Sequence, residues 1–318
     1  MPKIQNPSAS KMAKPNTEQR RPRSPPSPIP WSNFDRVDLV NPSTLPAMAA
    51  AAAAAAALPA VSSDSDSDDL LLLPNLLPSA AAPSSPSRAQ LHHFHLPSLP
   101  SPITVRALPS RGLSFQLWPS AATLLRFLPA SPHLLPRAPS PPGAPLRVLE
   151  LGSGTGAAGL ALAAALPARA VLSDLPCALP NLRHNAALNA PLLAAAGGAA
   201  SVVPLPWGDA AAMEAAAAAR AFDLVVASDV VYYEALVEPL IETLRFFVKG
   251  EVVFLMAHMR RWKRTDKKFF GKARKVFDVE VVHEDPPLQG CRHGPVVYRF
   301  TAKKQQGKKV MNDLPEER

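Results

Sequence analysis

LRVLELGSGTGAAG, residues 146–159, reads as a short buried strand, a glycine-rich turn and the opening of a helix. Leu146, Val148, Leu149 and Leu151 form an apolar run suited to a strand covered on both faces. Gly152, Gly154 and Gly156 then permit positive φ and place no side chain between the backbone and a ligand. The small residues from Ala157 to Ala165 follow with good helix propensity. Such a helix aims its unpaired N–H groups and the positive end of its dipole at whatever sits above the turn. The unit is built to hold a nucleotide or a nucleoside.

Two frames compete for the same glycines. From Gly154, GTGAAG fits G-x-G-x-x-G, the dinucleotide fingerprint. From Glu150, the frame is E-x-G-x-G-x-G, with an acid next to last in the strand. A pyrophosphate is repelled by a carboxylate in the turn that cradles it. A ligand with a cationic amino-acid end and no phosphate is not, and S-adenosylmethionine is such a ligand, carrying an ammonium, a sulfonium and a ribose. Asp174, just past the apolar run Ala170-Val171-Leu172, is placed to accept both ribose hydroxyls. NAD enzymes place an acid similarly, so Glu150, and not Asp174, discriminates. A glycine-rich βα turn that binds nothing is the plain alternative.

Of the 318 residues, 38 are proline, weighted towards the first 145. Composition therefore divides the chain into a disordered Pro/Ala/Ser-rich extension (1–88), one folded domain (89–302) and a charged, flexible tail (303–318). Two cysteines, Cys177 and Cys291, make no disulfide framework or metal-ligand spacing, which fits a reducing compartment. No run of about 20 apolar residues is present, so no membrane span is expected. The net charge of +9 comes from patches: residues 260–275 hold nine basic residues against the single acid Asp266.

In the extension, poly-Ala (Ala49 to Ala57) and a Ser/Asp run (Ser62 to Asp69) read as solvated linker. The basic first 31 residues lack the amphipathic pattern of a transit peptide, and Met48 offers a second plausible start. His92, His93 and His95 lie on a strand-like segment with no Cys or carboxylate nearby, which argues against a metal site.

Within the domain, residues 103–107 alternate weakly, and Leu113, Phe115 and Leu117 alternate clearly with Ser114, Gln116 and Trp118. Pro119 opens a helix whose face is Ala121, Leu124, Leu125 and Leu128. A helix is expected over 178–188, with Asn181, Asn185 and Asn189 on a polar face in solvent. Strands at 201–205, 222–227 and 252–257 alternate with helices at 210–220, 236–248 and 262–276, and 279–283 with 295–301 forms a closing hairpin. This order implies an α/β doubly wound, Rossmann-like sheet, mostly parallel, with helices on both faces.

Taken in order, Leu117-Trp118-Pro119-Ser120-Ala121, V-L-E-L-G-S-G-T-G at 148–156, S-D-L-P at 173–176, Asn185 with Asn189, Pro206-Trp207-Gly208 and F-D-L-V-V-A-S-D-V-V-Y at 222–232 resemble class I S-adenosylmethionine-dependent methyltransferases. More narrowly, the pattern is similar to the protein-lysine methyltransferases of the methyltransferase-like 21 type, methyltransferase family 16. The resemblance implies a seven-stranded sheet with one reversed strand supplied by the last hairpin. It implies that Trp118 packs against the cofactor, that Glu150, Gly152, Ser153, Gly154 and Gly156 hold its methionine end, and that Asp174 binds the ribose. By the same resemblance Trp207 lies beside the adenine, Ser228 lines the pocket, and Asp229 and Tyr232 form the acceptor-side wall as the catalytic residues. Pro206 departs from the polar residue common in relatives, which puts the adenine contacts there in doubt.

The reading that follows is methyl transfer from S-adenosylmethionine to a protein, at a lysine side chain, by a monomer in the cytoplasm, with the nucleus as a second compartment. Asp229 orients the amine and helps it discard a proton; the plain alternative is a helix N-cap before Glu234. Residues 260–275 are either an ordinary solvated helix face or a docking face, in the latter case for an acidic protein surface in preference to nucleic acid, since only Trp262, Phe269 and Phe270 are aromatic there. The rivals are an RNA or small-molecule methyltransferase, a non-catalytic partner-binding protein of this fold, and an NAD-dependent enzyme. S-D-V-V-Y stands where an amino-nucleobase enzyme would carry an N-P-P-Y-like motif, and no Tyr-x-x-x-Lys pair supports the NAD reading.

Overall fold

Each strand of the domain is an apolar run closed by a turn residue, and the strands stack into one sheet in the order β5-β4-β3-β6-β7-β9-β8. The computed structural model describes residues 89–136, 144–166, 168–218, 221–287 and 292–303. The extension, the start at Met48 and the tail beyond Lys303 lie outside the described residues. The strands of the sheet are β3 (Arg147–Leu151), β4 (Arg169–Asp174), β5 (Ala199–Pro204), β6 (Leu224–Ser228), β7 (Val253–His258), β8 (Phe277–Glu284) and β9 (Val296–Ala302). β3 pairs in parallel with β4 and β6, β4 with β5, and β6 with β7. β9 runs antiparallel to both β7 and β8, so β9 is the reversed strand.

Helices cover both faces because the central strands are buried on both. α1 (Pro119–Phe127), α2 (Ala157–Ala165) and α3 (Leu179–Ala195) cover one face. α4 (Ala210–Ala217), α5 (Val237–Phe247) and α6 (Lys263–Val276) cover the other. α2 is almost wholly buried, and its small residues let it sit close to β3 and β4. α5 turns Val237, Leu240, Ile241, Leu244 and Phe247 inwards at helical spacing. α6 buries Phe269, Phe270 and Ala273 and points its lysines and arginines outwards. Burying these apolar side chains is the main stabilising term, at about 1.5–3 kcal/mol for each fully buried large one.

Two expectations fail here. Leu113–Phe115 is a 3-10 turn and not a strand, closed by the Gln116 N–H on the Leu113 carbonyl. α3 runs to Ala195, past Leu188 and through Pro191; Leu193, packed with Leu179 and Leu182, holds the last turns to the domain against the proline's cost.

A third failure explains a piece of architecture. Asn181, Asn185 and Asn189 are buried and not in solvent. They bind β2 (Ile103–Ala107), which forms a separate antiparallel hairpin with β1 (Gln90–Phe94). The Thr104 N–H donates to Asn189 Oδ1 (2.9 Å), and Asn189 Nδ2 donates to the Thr104 carbonyl (2.7 Å). The Arg106 N–H donates to Asn185 Oδ1 (2.9 Å), and Asn185 Nδ2 donates to the Arg106 carbonyl (3.1 Å). Four residues of helix rise about 6 Å and two residues of strand about 6.8 Å, so the spacings match. The side-chain amides complete the strand edge that β1 leaves open.

Candidate functional site

The strand order reverses direction between β3 and β6, and ligands of open α/β sheets bind at the carboxyl ends of the strands at that point. Four connections converge there. The turn after β3 carries Gly152, Gly154 and Gly156 at φ 60°, 56° and 79°. β4 ends on Asp174, β5 leads to Pro206-Trp207-Gly208, and β6 ends on Ser228 and is followed by Asp229 to Tyr233.

A side chain at Gly152 would foul the site: a Cβ there would lie 3.0 Å from Trp207 Cζ2 and 3.1 Å from Val230 Cγ1. The Trp207 indole therefore stands directly over the glycine turn. Its own loop is tied down by the Gly208 N–H, which donates to Thr243 Oγ1 on α5 (2.9 Å), and by Asp209, which caps α4. Ser153 uses its side chain inside the turn: its Oγ accepts from the Ser173 N–H (2.9 Å) and donates to the Glu150 carbonyl (3.3 Å).

The two acids sit differently. Asp174 spreads its carboxylate across the turn: Oδ2 accepts from the Gly154 N–H (2.8 Å), and Oδ1 from the Leu175 N–H (2.7 Å) and Ser114 Oγ (3.3 Å). Burial raises its pKa, against the pull of those three donors. Glu150 is buried beneath the first turn of α2, where a Cβ on Gly159 would lie 2.6 Å from its Oε2. That oxygen has no hydrogen-bond partner. Burial, with a smaller contribution from the charge of Asp174, pushes the Glu150 carboxyl up to about 8. Among the described residues, no lysine or arginine pairs with either acid.

The strap of residues 108–118, of which 113–118 alternate in sequence like a strand, crosses the turn. The Ser114 carbonyl would be 3.4 Å from a Cβ on Gly154, and the Ser114 hydroxyl reaches Asp174. Trp118 follows, its Nε1 donating to the Leu113 carbonyl (3.1 Å). Nothing in the local sequence marks Ser114, because the contact spans 60 positions.

On the far side, Asp229 is the one non-glycine residue with positive φ (53°) among the described residues, a conformation that costs of order 1–3 kcal/mol. It does not cap the helix near Glu234, as the plain alternative had it; its partners lie elsewhere. Oδ2 accepts from the Ser120 N–H at the start of α1 (3.1 Å). Oδ1 accepts from the Met259 N–H (3.0 Å) and from Arg261 Nη1 (2.9 Å). Burial opposes ionisation, but Arg261, His258 and the backbone donors outweigh it, and the carboxyl is held below its usual range. Behind it, the buried His258 places Nε2 2.9 Å from Asp266 Oδ1. Tyr232 packs edge-on against Tyr233 (4.9 Å between centroids), and burial, with the charge of Asp174, raises its phenol pKa. Ser120, His258, Met259 and Arg261 escaped sequence reasoning because they come from two segments, at 120 and at 258–261, both remote from Asp229.

The basic segment is less available than its composition suggested. Arg264 and Lys268 pair with Glu234, and Lys272 pairs with Glu238. His93, on β1, uses Nδ1 on Thr104 Oγ1 (2.9 Å). No helix among the described residues is long and apolar enough to cross a membrane.

Comparison with known proteins bears on this geometry. The sequence profile of a family described as lysine methyltransferase matches residues 100–276. The Mus musculus protein-lysine methyltransferase METTL21E is 31% identical over 172 residues, covering 54% of this chain and 66% of that protein. The Danio rerio protein N-lysine methyltransferase METTL21A is 34% identical over 139 residues, covering 44% of this chain and 61% of that protein. The chain thus spans somewhat less than two thirds of the length of these relatives. Among solved structures, an N-terminally truncated METTL16 methyltransferase domain aligns with a TM-score of 0.42 at 13% identity, over 60% of this chain and 85% of that one.

Proposed function

Because the chain belongs to the lysine methyltransferase family, we propose that it transfers a methyl group from S-adenosylmethionine to the side-chain amine of a lysine in a protein. The observation that carries the cofactor half of this reading is the pair of buried acids at the sheet's switch point. Glu150 and Asp174 lie at a glycine turn with no cation to neutralise them, a setting that suits an ammonium and a hydroxyl-rich ribose and repels a pyrophosphate. The residues fit the group. Gly152, Gly154 and Gly156 open the backbone to the methionine end, Ser153 holds the turn in shape, and Glu150 beneath it supplies a negative field once it gives up its proton, a step that a bound ammonium favours. Asp174 takes the ribose: the hydroxyl of Ser114 and the N–H of Gly154 already use its oxygens as ribose hydroxyls would. Trp207 stands beside the adenine, Trp118 closes the rim, and Ser228 lines the floor. With Pro206 in place of a polar residue, the adenine is held there by packing.

S-adenosylmethionine, when bound, supplies a methyl group already activated by its sulfonium, so no nucleophilic side chain is needed. The protein's part is alignment and the exclusion of water. The acceptor lysine must arrive as a free amine, and desolvation at the rim lowers its pKa. Asp229 orients that amine. Its carboxylate has about four acceptor sites, of which three are taken by Ser120, Met259 and Arg261. Held below the usual range, Asp229 stays ionised and positions the amine through the remaining site. Tyr232, its phenol kept neutral, offers an aromatic face to the positive charge in the transition state. A protein with an acidic surface docks on residues 260–275 by exchanging its acids for Glu234 and Glu238. The reading further takes the chain to act as a monomer, in the cytoplasm or nucleus.

The test uses the full chain. Calorimetry with S-adenosylhomocysteine and with NAD decides the cofactor: binding of NAD alone overturns the reading. Radiolabelled S-adenosylmethionine and a cell extract decide the acceptor. A protein band that survives nuclease supports protein methylation, and label lost to nuclease moves the acceptor to RNA.

A further inference from the structure

Among the cations of residues 260–276, Arg261 stands apart from those whose partners are plain. Arg264, Lys268 and Lys272 meet Glu234 or Glu238, and Arg260 donates to Tyr298 Oη (2.7 Å from Nη2). Arg261 is different. Its side chain is only 9% exposed and one corner, Nη1, is fixed on Asp229 Oδ1 at 2.9 Å. Its guanidinium lies 5.3 Å from the Trp118 ring centroid and 5.9 Å from that of Trp262. The opposite edge, Nε and Nη2, is buried and meets no hydrogen-bond partner.

Nε and Nη2 are the side-on pair of a guanidinium, two parallel N–H groups whose spacing matches the two oxygens of a carboxylate. A buried cation edge without an acceptor is unfavourable, so the fold holds this donor pair aligned at a cost in stability. The position is not arbitrary. Asp229, which holds the Nη1 corner of Arg261, orients the acceptor amine in the proposed function, and Trp118, whose ring lies against the guanidinium, closes the rim there. Trp262, half-exposed at the start of α6, gives no side-chain cap to that helix.

We infer that Arg261 is a specificity-determining residue: its Nε–Nη2 edge receives a carboxylate of the protein substrate, an aspartate or glutamate side chain beside the acceptor lysine. The inference rests on the protein-methylation reading above. One site then handles two opposite charges: Asp229 orients the amine, and Arg261, tied to Asp229, receives the neighbouring acid. A neutral amide in place of that acid leaves the guanidinium edge half-satisfied. A lysine in place of Arg261 keeps the charge and the tie to Asp229 and loses the paired donors.

The experiment maps the lysines labelled by the full-length chain in a cell extract by mass spectrometry. An acid beside the mapped lysine is then changed to its amide in the purified substrate. That change is crossed with Arg261→Lys and Arg261→Gln, each assayed at a temperature below the start of its own thermal unfolding, and each read against the same variant acting on the unaltered substrate. The expected result is a fall of about tenfold or more in kcat/KM for either change alone, carried mainly by KM, and little further loss when both are present. A mapped lysine with no neighbouring acid, or losses that simply multiply, overturns the inference and leaves lysine methylation standing. No labelled protein at all overturns the reading on which it rests.

Discussion

The two sides of the crevice are built in different ways. The side we assign to the cofactor is local: Glu150, the three glycines and Asp174 fall within 25 residues, and their bonds join one turn to the end of the next strand. The acceptor side is assembled from afar, with Asp229 joined to Ser120 across 109 positions and to Arg261 across 32. A local turn keeps its shape by backbone bonds and glycine conformation. A remote cluster keeps its shape only while every member is present. The cofactor side should therefore lose function with little loss of fold, and the acceptor side should lose both together.

The sharpest way to break this contrast is Asp229→Ala. It strands a buried arginine and two backbone donors, and a cost of about 3–5 kcal/mol is expected in urea unfolding, with methyl transfer abolished. Unchanged stability would mean the acceptor side is not a unit. Next comes Gly152→Val, which puts a branched side chain at φ 60° into the Trp207 ring. Calorimetry should show S-adenosylhomocysteine affinity down by about 100-fold or more, with a smaller loss of stability, about 1–3 kcal/mol. Asn185→Ala removes the amide that bonds Arg106 on both sides and also the Thr155 carbonyl, so it links the hairpin to the glycine turn. Thermal unfolding should show a loss of about 2–3 kcal/mol.

A pH series sharpens the comparison further. Glu150 is pushed up to about 8 in the folded protein against 4.5 for an ordinary glutamate. The folded state then holds its proton more tightly than the unfolded one. Its contribution to stability is complete below pH 4.5 and is lost as pH rises through about 8. Wild type should thus weaken as pH rises from 4.5 to about 8 in the ligand-free state, and Glu150→Gln should weaken less. Cofactor affinity should move the opposite way, rising with pH as Glu150 ionises, and should be flat in the variant. The smallest effect belongs to Lys268→Ala on the surface, about 1 kcal/mol or less, since its pair with Glu234 is solvent-screened.

The same contrast explains what could be read in the chain. The alternation of strands and helices along the chain and the glycine turn follow from patterns that repeat over five to ten residues, and they were legible; the order of strands across the sheet was not. The direction of β9 came from the family resemblance, not from periodicity. Leu113–Phe115 alternates like a strand, but alternation only requires two environments, and here they are the two sides of a strap. The three asparagines looked like a solvent face because sequence shows no partner for them; the partner is a strand some 80 residues away. Arg261 was visible as one positive charge among nine, and nothing local set it apart from its neighbours.

That asparagine ladder also sets where the chain can be cut. The β1–β2 hairpin is stitched to helix side chains and not to the main sheet, so from the topology alone it looks removable. A fragment starting at residue 108 would leave the amides of Asn181, Asn185 and Asn189 facing an empty trough and the Thr155 carbonyl sharing a loosened partner. A dissected enzyme that is to stay soluble and keep its glycine turn in register has to begin upstream of Gln90.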